Sequence, residues 1–519
     1  MDNEANPDKL QQAIAWHQQG QLQQAAMAYV EILDADPGHF DALHLLGVYA
    51  LQTDDLEAAR DLIGRAIAVN PRASMPHANL GTVLQRLGQV DAALQSYKRA
   101  LELDPANITA LSNYGSALLK MRRYVEALPL FERALQLSPD YADALNNLGN
   151  ALLELHRHHE ALVCLGRALQ IQPGFMEALF NQGNALQLLN RTDEALHSYA
   201  QALALNPQHV EANFNEAICR LLNGDLQGGW PQYEWRWRKP GVSAPPSDAP
   251  LWLGQTPLQG RSILVHAEQG FGDTIHMCRY VSMLAQRGAR VVLRVQPALK
   301  PLLAALPGAQ QVLADGEPLP ANDLRCPLLS LPLAFNTALD TIPAGAPYVQ
   351  ADPQRIAAWQ ERLGAKTRPR IGLAWAGSSA HANDAFRSIG LLQLREVLTP
   401  QMEFVSLQRD LRAVDRIVLA LDAGMREFAG QQTDFAETAA LIAHMDLVIS
   451  VDTSIAHLAA AMGKPTWILL PFAPDWRWML NRDDSPWYPT VRLFRQTKAG
   501  DWSDVLAAVV RELAADDVF

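Results

Sequence analysis

Prolines fall at positions 37, 71, 105, 139, 173 and 207, each 34 residues after the one before. A period held this strictly through two hundred residues confines the chain to a stack of similar short units, each burying its apolar face on its neighbours. Aligned on the prolines, Gly47, Gly81, Gly115, Gly149 and Gly183 share one column. Ala25, Ala59, Ala93, Ala127, Ala161 and Ala195 share a second, and Ala66, Ala100, Ala134, Ala168 and Ala202 a third. Small residues at fixed places let two helices approach closely, and proline ends the second of them.

This pattern resembles the tetratricopeptide repeat, a helix–turn–helix unit. Six units are expected, and a diverged seventh keeps Asn215 and Tyr233 in phase; GGWPQYEWRW covers its second helix, and its tryptophans are expected to cap the solenoid against the next domain. Asn79, Asn113, Asn147, Asn181 and Asn215 occupy the sixth place of successive units. In tetratricopeptide superhelices that place faces the concave groove, and an amide there matches one peptide unit of an extended chain, donor to acceptor. The same ladder occurs in the arm of O-linked N-acetylglucosamine transferase, which this half resembles. The other reading is that these amides join neighbouring repeats. His156, His158 and His159 are read as a solvated turn.

The charge is unevenly placed. The whole chain has 43 Lys and Arg against 55 Asp and Glu, while residues 1–238 have 17 against 27. An acidic arm does not suit a phosphate backbone, so nucleic acid is not expected as a partner. Four cysteines without paired spacing (Cys164, Cys219, Cys278 and Cys326) suit a reducing compartment. The polar start MDNEANPDKL and the lack of a long apolar run indicate no signal peptide and no membrane span, hence a cytoplasmic protein.

After Arg238, KPGVSAPPSDAP reads as a linker. Strands are expected at 262–266, 290–295, 371–375, 403–407, 446–451 and 466–470, with helical stretches between most of them. Alternation of this kind gives parallel sheets, with ligands at the carboxyl ends of the strands. Two loops lie at such ends. GFGD, Gly270 to Asp273, leads from a strand into a helix but lacks the third glycine of a dinucleotide fingerprint. In DLVISVDTSIAHLAAAMGKPTWILL a strand ends at Asp452, Thr453 and Ser454 start a helix, and His457 lies one turn in. Free amides and two hydroxyls at a helix start suit a diphosphate.

Asp-Thr-Ser-x-x-His-Leu-Ala-Ala-Ala with the upstream Gly-Asp loop resembles the heptosyltransferase family of GT-B glycosyltransferases. WAGSSAHANDAFRSI (375–389) and DWRWMLNRDDSPWYP (475–489) are similar to its bacterial tetratricopeptide-fused branch, some members of which glycosylate flagellin. The likeness to O-linked N-acetylglucosamine transferase rests mainly on the arm, because the chain after residue 238 is shorter than that enzyme's catalytic half. The resemblance implies an all-α tetratricopeptide superhelix followed by an α/β GT-B fold, two Rossmann-like parallel-sheet domains facing a cleft. The corresponding division is a solenoid at 1–238, a linker at 239–260, an acceptor-side domain at 261–367, a nucleotide-sugar domain at 368–495 and a C-terminal helix at 496–519.

It further implies an inverting transfer from a nucleotide sugar, without metal or other cofactor, with Asp273 as the base that takes the acceptor proton. The alternative for Asp273 is a helix N-cap, with Glu268 and His276 as second candidates for the base. Arg387 matches the family's basic residue against phosphate; its alternative is an ion pair with Asp384. Gly272, Ser378, Gln408, Asp452, Thr453, Ser454 and His457 complete the expected donor site, though Asp452 and His457 are also read as a cap and a buried histidine. The Asn ladder is the expected acceptor groove, with flagellin the partner the resemblance puts first. A saccharide-directed transferase, a non-catalytic scaffold and a nicotinamide dehydrogenase are the competing functions.

Overall fold

The computed structural model describes residues 5–242, 246–379, 384–421 and 424–515. It divides into two compact units between Leu186 and Gln187.

The first unit is all helical. Phe40–Gln52 and Leu56–Val69 form one hairpin, followed by Ser74–Arg86 with Val90–Leu103, Ile108–Lys120 with Tyr124–Leu137, and Ala142–Glu154 with His158–Ile171. Each second helix stops two residues before its proline, as Leu103 does before Pro105. The glycine column is explained by contact: a Cβ would meet Ile63 at Gly47, Tyr97 at Gly81, Phe131 at Gly115 and Leu165 at Gly149, at 2.6 to 2.7 Å. A fully buried side chain of the partner helix fills the space a side chain would need.

The Asn column joins repeat to repeat. Asn79 Nδ2 lies 2.9 Å from His44 Nε2, Asn113 Nδ2 donates to Thr82 Oγ1 at 3.1 Å, and Asn147 Nδ2 donates to Ser116 Oγ at 3.0 Å. Asn181 Nδ2 donates to Asn146 Oδ1 at 2.9 Å. Of the two readings of these amides, the inter-repeat hydrogen bond is present at all four.

The second unit opens with the last repeats, including helices Thr192–Leu205, Val210–Leu222 and Leu226–Tyr233. The sequence put the end of the arm at 238. The structural division comes earlier because these repeats pack into the α/β part. Trp230, 2% exposed, donates from Nε1 to Thr337 O at 2.9 Å and meets Trp476 edge-on at 5.3 Å. It thus caps the repeats, as its place in the sequence suggests.

Two parallel sheets make up the rest. The first comprises β1 (Ser262–His266), β2 (Arg290–Val295), β3 (Ala309–Ala314) and β4 (Leu324–Pro327), in the order β3-β2-β1-β4. The second comprises β5 (Arg370–Ala374), β6 (Glu403–Ser406), β7 (Met425–Arg426), β8 (Leu447–Val451), β9 (Thr466–Leu470) and β10 (Val491–Arg495), in the order β10-β9-β8-β5-β6-β7. All pairings between these strands are parallel. The direction of winding reverses between β1 and β4 in one sheet and between β5 and β8 in the other. Those are the points where a parallel sheet opens a ligand crevice.

Helix Pro353–Leu363, placed with the first lobe by sequence, instead packs on the second. Arg355 pairs there with Asp434 and Glu437, and Trp359 Nε1 donates to Glu437 Oε2 at 2.8 Å. The C-terminal helix spans Ser503–Leu513, with Val505, Leu506 and Val509 buried in the core of the second sheet.

Candidate functional site

The loops at the two reversals meet in one cavity of about 740 Å³. Gln269 to Asp273 line it from the β1 loop, Ala376 to Ser378 from the β5 loop, and Asp452 to Ile455 from the β8 loop. Gly272, Asp273, Ser378, Arg387, Gln408, Asp452, Thr453, Ser454 and His457 all face this space, though they come from five separate stretches of the chain. Asn215 is not among the lining residues, but Phe214 and Ile218 of the same helix are.

The β1 loop enters helix Phe271–Met277, so Asp273 is the third helical residue and not the N-cap. Its Oδ2 accepts from Gly270 N at 2.8 Å, while Oδ1 is ion-paired with Arg477. A carboxylate reaching back to the first amide fixes the loop and turns the group toward the cavity. Glu268 and His276 do not line the cavity. Glu268 pairs with buried Arg236 at 2.8 Å, and burial outweighs that arginine to push its carboxyl up to about 7. His276 is fully buried, and its Nδ1 accepts from Arg477 Nε at 3.2 Å.

On the opposite wall β8 runs out at Val451, and Thr453 caps helix Ser454–Ala461, accepting from Ile455 N at 3.3 Å. Arg387 Nη1 donates to the main-chain oxygen of Asp452 at 3.2 Å. Its guanidinium lies over Gly377, where a Cβ would come within 2.4 Å of Nη2. The expected alternative for this arginine, an ion pair with Asp384, is not formed. Asp384 is paired with Arg412 at 2.5 Å and accepts from Ser388 Oγ at 2.7 Å. Among the described residues no carboxylate lies within ion-pair distance of Arg387, and its buried Nε has no partner.

Gln408, 7% exposed, uses both ends of its amide on Ala376: Oε1 accepts from Ala376 N at 3.1 Å and Nε2 donates to Ala376 O at 3.0 Å. It braces the β5 loop. His457 Nδ1 lies 2.9 Å from the Tyr488 hydroxyl, and its ring stacks between His276 and Trp478. Burial, followed by Arg477 and Arg279, pushes its pKa well below the usual histidine value, so it is neutral. Asp452 moves the other way: burial, then the Asp475 carboxylate, push it up to about 6.

Asp475, Trp476 and Arg477 also line the cavity, from the segment after β9. In the sequence this segment stands out only as part of the stretch 475–489, and no role for its residues can be read from it alone. The available signal is a pair of opposite charges flanking a tryptophan just after the expected strand at 466–470.

Residues 404–469 match glycosyltransferase family 9 (heptosyltransferase), a span holding Gln408, Asp452, Thr453, Ser454 and His457. Tetratricopeptide families match at 17–78, 86–121, 107–174 and 177–209. The chain joins tetratricopeptide repeats to a glycosyltransferase family 9 domain. Protein FlbA of Caulobacter vibrioides is 27% identical over 331 residues, 58% of this chain and 54% of that protein, so the chain spans about half the length of this curated relative. Among solved structures, YrrB, described as a TPR protein with an unusual peptide-binding site, is 21% identical, covering 36% of this chain and 96% of its own, with TM-score 0.32. PilF of Pseudomonas aeruginosa is 23% identical, covering 39% of this chain and 92% of its own, with TM-score 0.36. No described helix is long and apolar enough to cross a membrane.

Proposed function

We propose that the protein moves a sugar from a nucleotide donor onto a hydroxyl of a protein, the two-sheet part working as a GT-B glycosyltransferase and the repeats recruiting the acceptor. The observation that carries this reading is the one cavity with a carboxylate on the first-sheet side and, on the second-sheet side, a helix start beside an arginine that has no carboxylate partner among the described residues. The donor diphosphate lies against the amides opening helix Ser454–Ala461, the hydroxyls of Thr453, Ser454 and Ser378, and the Arg387 fork. These are dipoles and a charge suited to a departing diphosphate without a metal ion.

Asp273 takes the proton from the acceptor hydroxyl as its oxygen bonds to the anomeric carbon from the opposite face. The bond from that carbon to the diphosphate breaks, and the electron pair leaves with the nucleotide. The configuration inverts. On the acceptor side the arm contributes Phe214 and Ile218 to the cavity wall, so a segment held by the last repeat reaches Asp273. In the repeats, the second amide hydrogen and the carbonyl oxygen of Asn79, Asn113, Asn147 and Asn181 are the groups a passing peptide would use.

The test is a thermal-shift screen of UDP, GDP, ADP, CMP and their sugars, followed by mass spectrometry of flagellin and of free saccharides incubated with the stabilising donor. One nucleotide is expected to raise the melting temperature, and Asp273→Asn is expected to keep that shift while transferring nothing. No stabilising nucleotide, or full transfer by Asp273→Asn, would remove this reading.

A further inference from the structure

Arg279 is a buried cation, 4% exposed, with no carboxylate within ion-pair distance among the described residues. It follows helix Phe271–Met277 and reaches the segment between β9 and β10, where Nη1 donates to Trp487 O at 2.6 Å. Nη2 donates to the Tyr348 hydroxyl at 2.9 Å, and the guanidinium carbon lies 4.5 Å from the centre of the Tyr488 ring. Tyr348 has one hydrogen to give, and its shorter contact is with Ile275 O at 3.1 Å. The Tyr348 and Tyr488 oxygens stand 3.4 Å apart, long for a hydroxyl pair, whereas the Tyr488 hydroxyl is 2.9 Å from His457 Nδ1. The hydrogen of Tyr488 therefore goes to His457. The charge of Arg279 favours the same orientation, since it attracts the phenol oxygen and repels the hydrogen.

We infer that Tyr488 is a positioning residue: by donating to Nδ1 it fixes His457 as the Nε2–H tautomer, so that the imidazole offers the cavity a hydrogen-bond donor. The use of this donor by a nucleotide sugar rests on the proposed transferase function; the tautomer itself does not. Which nitrogen of a neutral histidine carries the proton is set by the bond that the other nitrogen makes. His457 is neutral, because burial, then Arg477 and Arg279, hold its pKa well below the usual value. An accepting Nδ1 leaves the one proton on Nε2.

The surroundings of Nε2 agree. Asp452 Oδ1 lies 4.0 Å away, too far for a direct hydrogen bond, yet a carboxylate on that side favours a hydrogen there. The β1 loop leaves this edge of the ring uncovered because its nearest residue is Gly272, whose Cβ would come within 3.6 Å of Nε2. His457 and Asp452 both line the cavity. Stacking between His276 and Trp478 holds the ring plane, and a ring flip that exchanged the nitrogens would break the bond to Tyr488. A fixed N–H recognises an acceptor oxygen of the bound nucleotide sugar, on its diphosphate or on its sugar.

The experiment reads the tautomer directly, by long-range proton–nitrogen correlation spectra of the full-length protein carrying 15N-histidine, with His457→Gln as the assignment reference. Near neutral pH the wild type is expected to show a protonated Nε2 and a bare Nδ1. A protonated Nδ1 would overturn the inference. In Tyr488→Phe the Nδ1 resonance is expected to move toward that of a ring nitrogen without a hydrogen bond; an unmoved resonance would equally overturn it. Should that variant fail to fold, the wild-type spectrum decides alone. Calorimetry with UDP, GDP, ADP, CMP and their sugars tests the use of the donor. His457→Met is expected to weaken binding about two- to tenfold, the worth of one neutral hydrogen bond, while His457→Gln, which keeps an N–H, recovers most of it. Equal losses in the two would remove the donor role. A loss already present with the nucleoside diphosphate places the accepting oxygen on the diphosphate, and a loss confined to the nucleotide sugar places it on the sugar. Binding of no nucleotide, with Nε2 protonated, would remove the transferase reading and leave the tautomer standing.

Discussion

Gly272 packs directly against His457: a Cβ on the glycine would lie 2.9 Å from the imidazole Cδ2 and 3.6 Å from the Cα of Ser454. This is where helix Phe271–Met277 of the first sheet meets helix Ser454–Ala461 of the second. The imidazole cannot swing aside, being stacked on His276 at 5.3 Å and Trp478 at 5.2 Å and tied to Tyr488. Gly272→Ala is therefore expected to push the helices apart, costing about 1–3 kcal/mol as overpacking does. A melting curve checks the stability. Asp273 is one residue away, so transfer should fall further than the loss of stability explains.

Arg387 faces the cavity without a carboxylate partner, and its Nε is buried without a hydrogen bond among the described residues. A charge-assisted hydrogen bond is worth roughly 1.5–3 kcal/mol, so Arg387→Ala should weaken nucleoside diphosphate binding by about ten- to a hundredfold. Gly377→Ala should produce a milder version of the same defect, because its Cβ would displace the guanidinium. Calorimetric titration of both variants measures this. Wild-type affinity in Arg387→Ala would place the diphosphate elsewhere.

Asp452 gives a pH dependence with a definite sign. Its carboxyl is pushed up to about 6 by burial and then by Asp475, whereas in an unfolded chain aspartate titrates near ~3.9. Between those values the folded protein keeps a proton that the unfolded chain has released, so this group's contribution to stability declines as pH rises through that window. Above about pH 6 the full cost of a buried carboxylate is present. Asp452→Asn removes it, so the variant should gain on the order of 2 kcal/mol over wild type near neutral pH and almost nothing near pH ~4. Melting temperatures across that range test it; an equal gain at every pH would show the carboxylate is not the cause.

Much of this architecture was readable in the sequence, and the parts that were not share physical causes. The buried strands β1, β2, β5, β6, β8 and β9 announce themselves as apolar runs, and each lies at or within one residue of its expected position. β3 reads AQQVLA, with two exposed glutamines, and β10 reads VRLFR, alternating with charge. Both are edge strands, solvated on one side and without the continuous apolar signature. β4 ends in a proline, and β7 is two residues long. The two loop motifs line one cavity because each follows a strand at which the winding reverses. Arg477 escaped because its partner Asp273 lies 204 residues away, and no local pattern encodes that meeting. The Asn column shows a further limit: periodicity placed the amides but left two readings open, and the inter-repeat bond at Asn79, Asn113, Asn147 and Asn181 appears only in the structure.

That last contact has a measurable consequence. Asn147 Nδ2 donates to Ser116 Oγ at 3.0 Å across two repeats. Stacked repeats owe their stability to such nearest-neighbour terms, so Asn147→Ala should cost about 1 kcal/mol. Circular dichroism melts of the variant and of Ser116→Ala should show similar losses, and the double variant should lose less than their sum. Additive losses would mean the two side chains act independently.

Phe214 and Ile218 stand four residues apart on helix Val210–Leu222, so both present the same face, and that face lines the cavity. Phe214 has a packing role as well, with Lys239 Nζ 3.4 Å from its ring centre and Tyr233 at 5.4 Å. Ile218 is therefore the cleaner probe of what the arm contributes to the site. Ile218→Asp puts a charge where the wall is apolar, far less disruptive here than in a sealed core because the position already opens on the cavity. If the acceptor passes along this wall, the KM for a protein acceptor should rise about tenfold or more, as burial of one aliphatic side chain is worth roughly 1.5–3 kcal/mol, while nucleotide affinity stays near wild type. Steady-state kinetics with the acceptor and calorimetry with the nucleotide separate the two effects. A variant that loses nucleotide binding while its acceptor KM is unmoved would assign this wall to the donor.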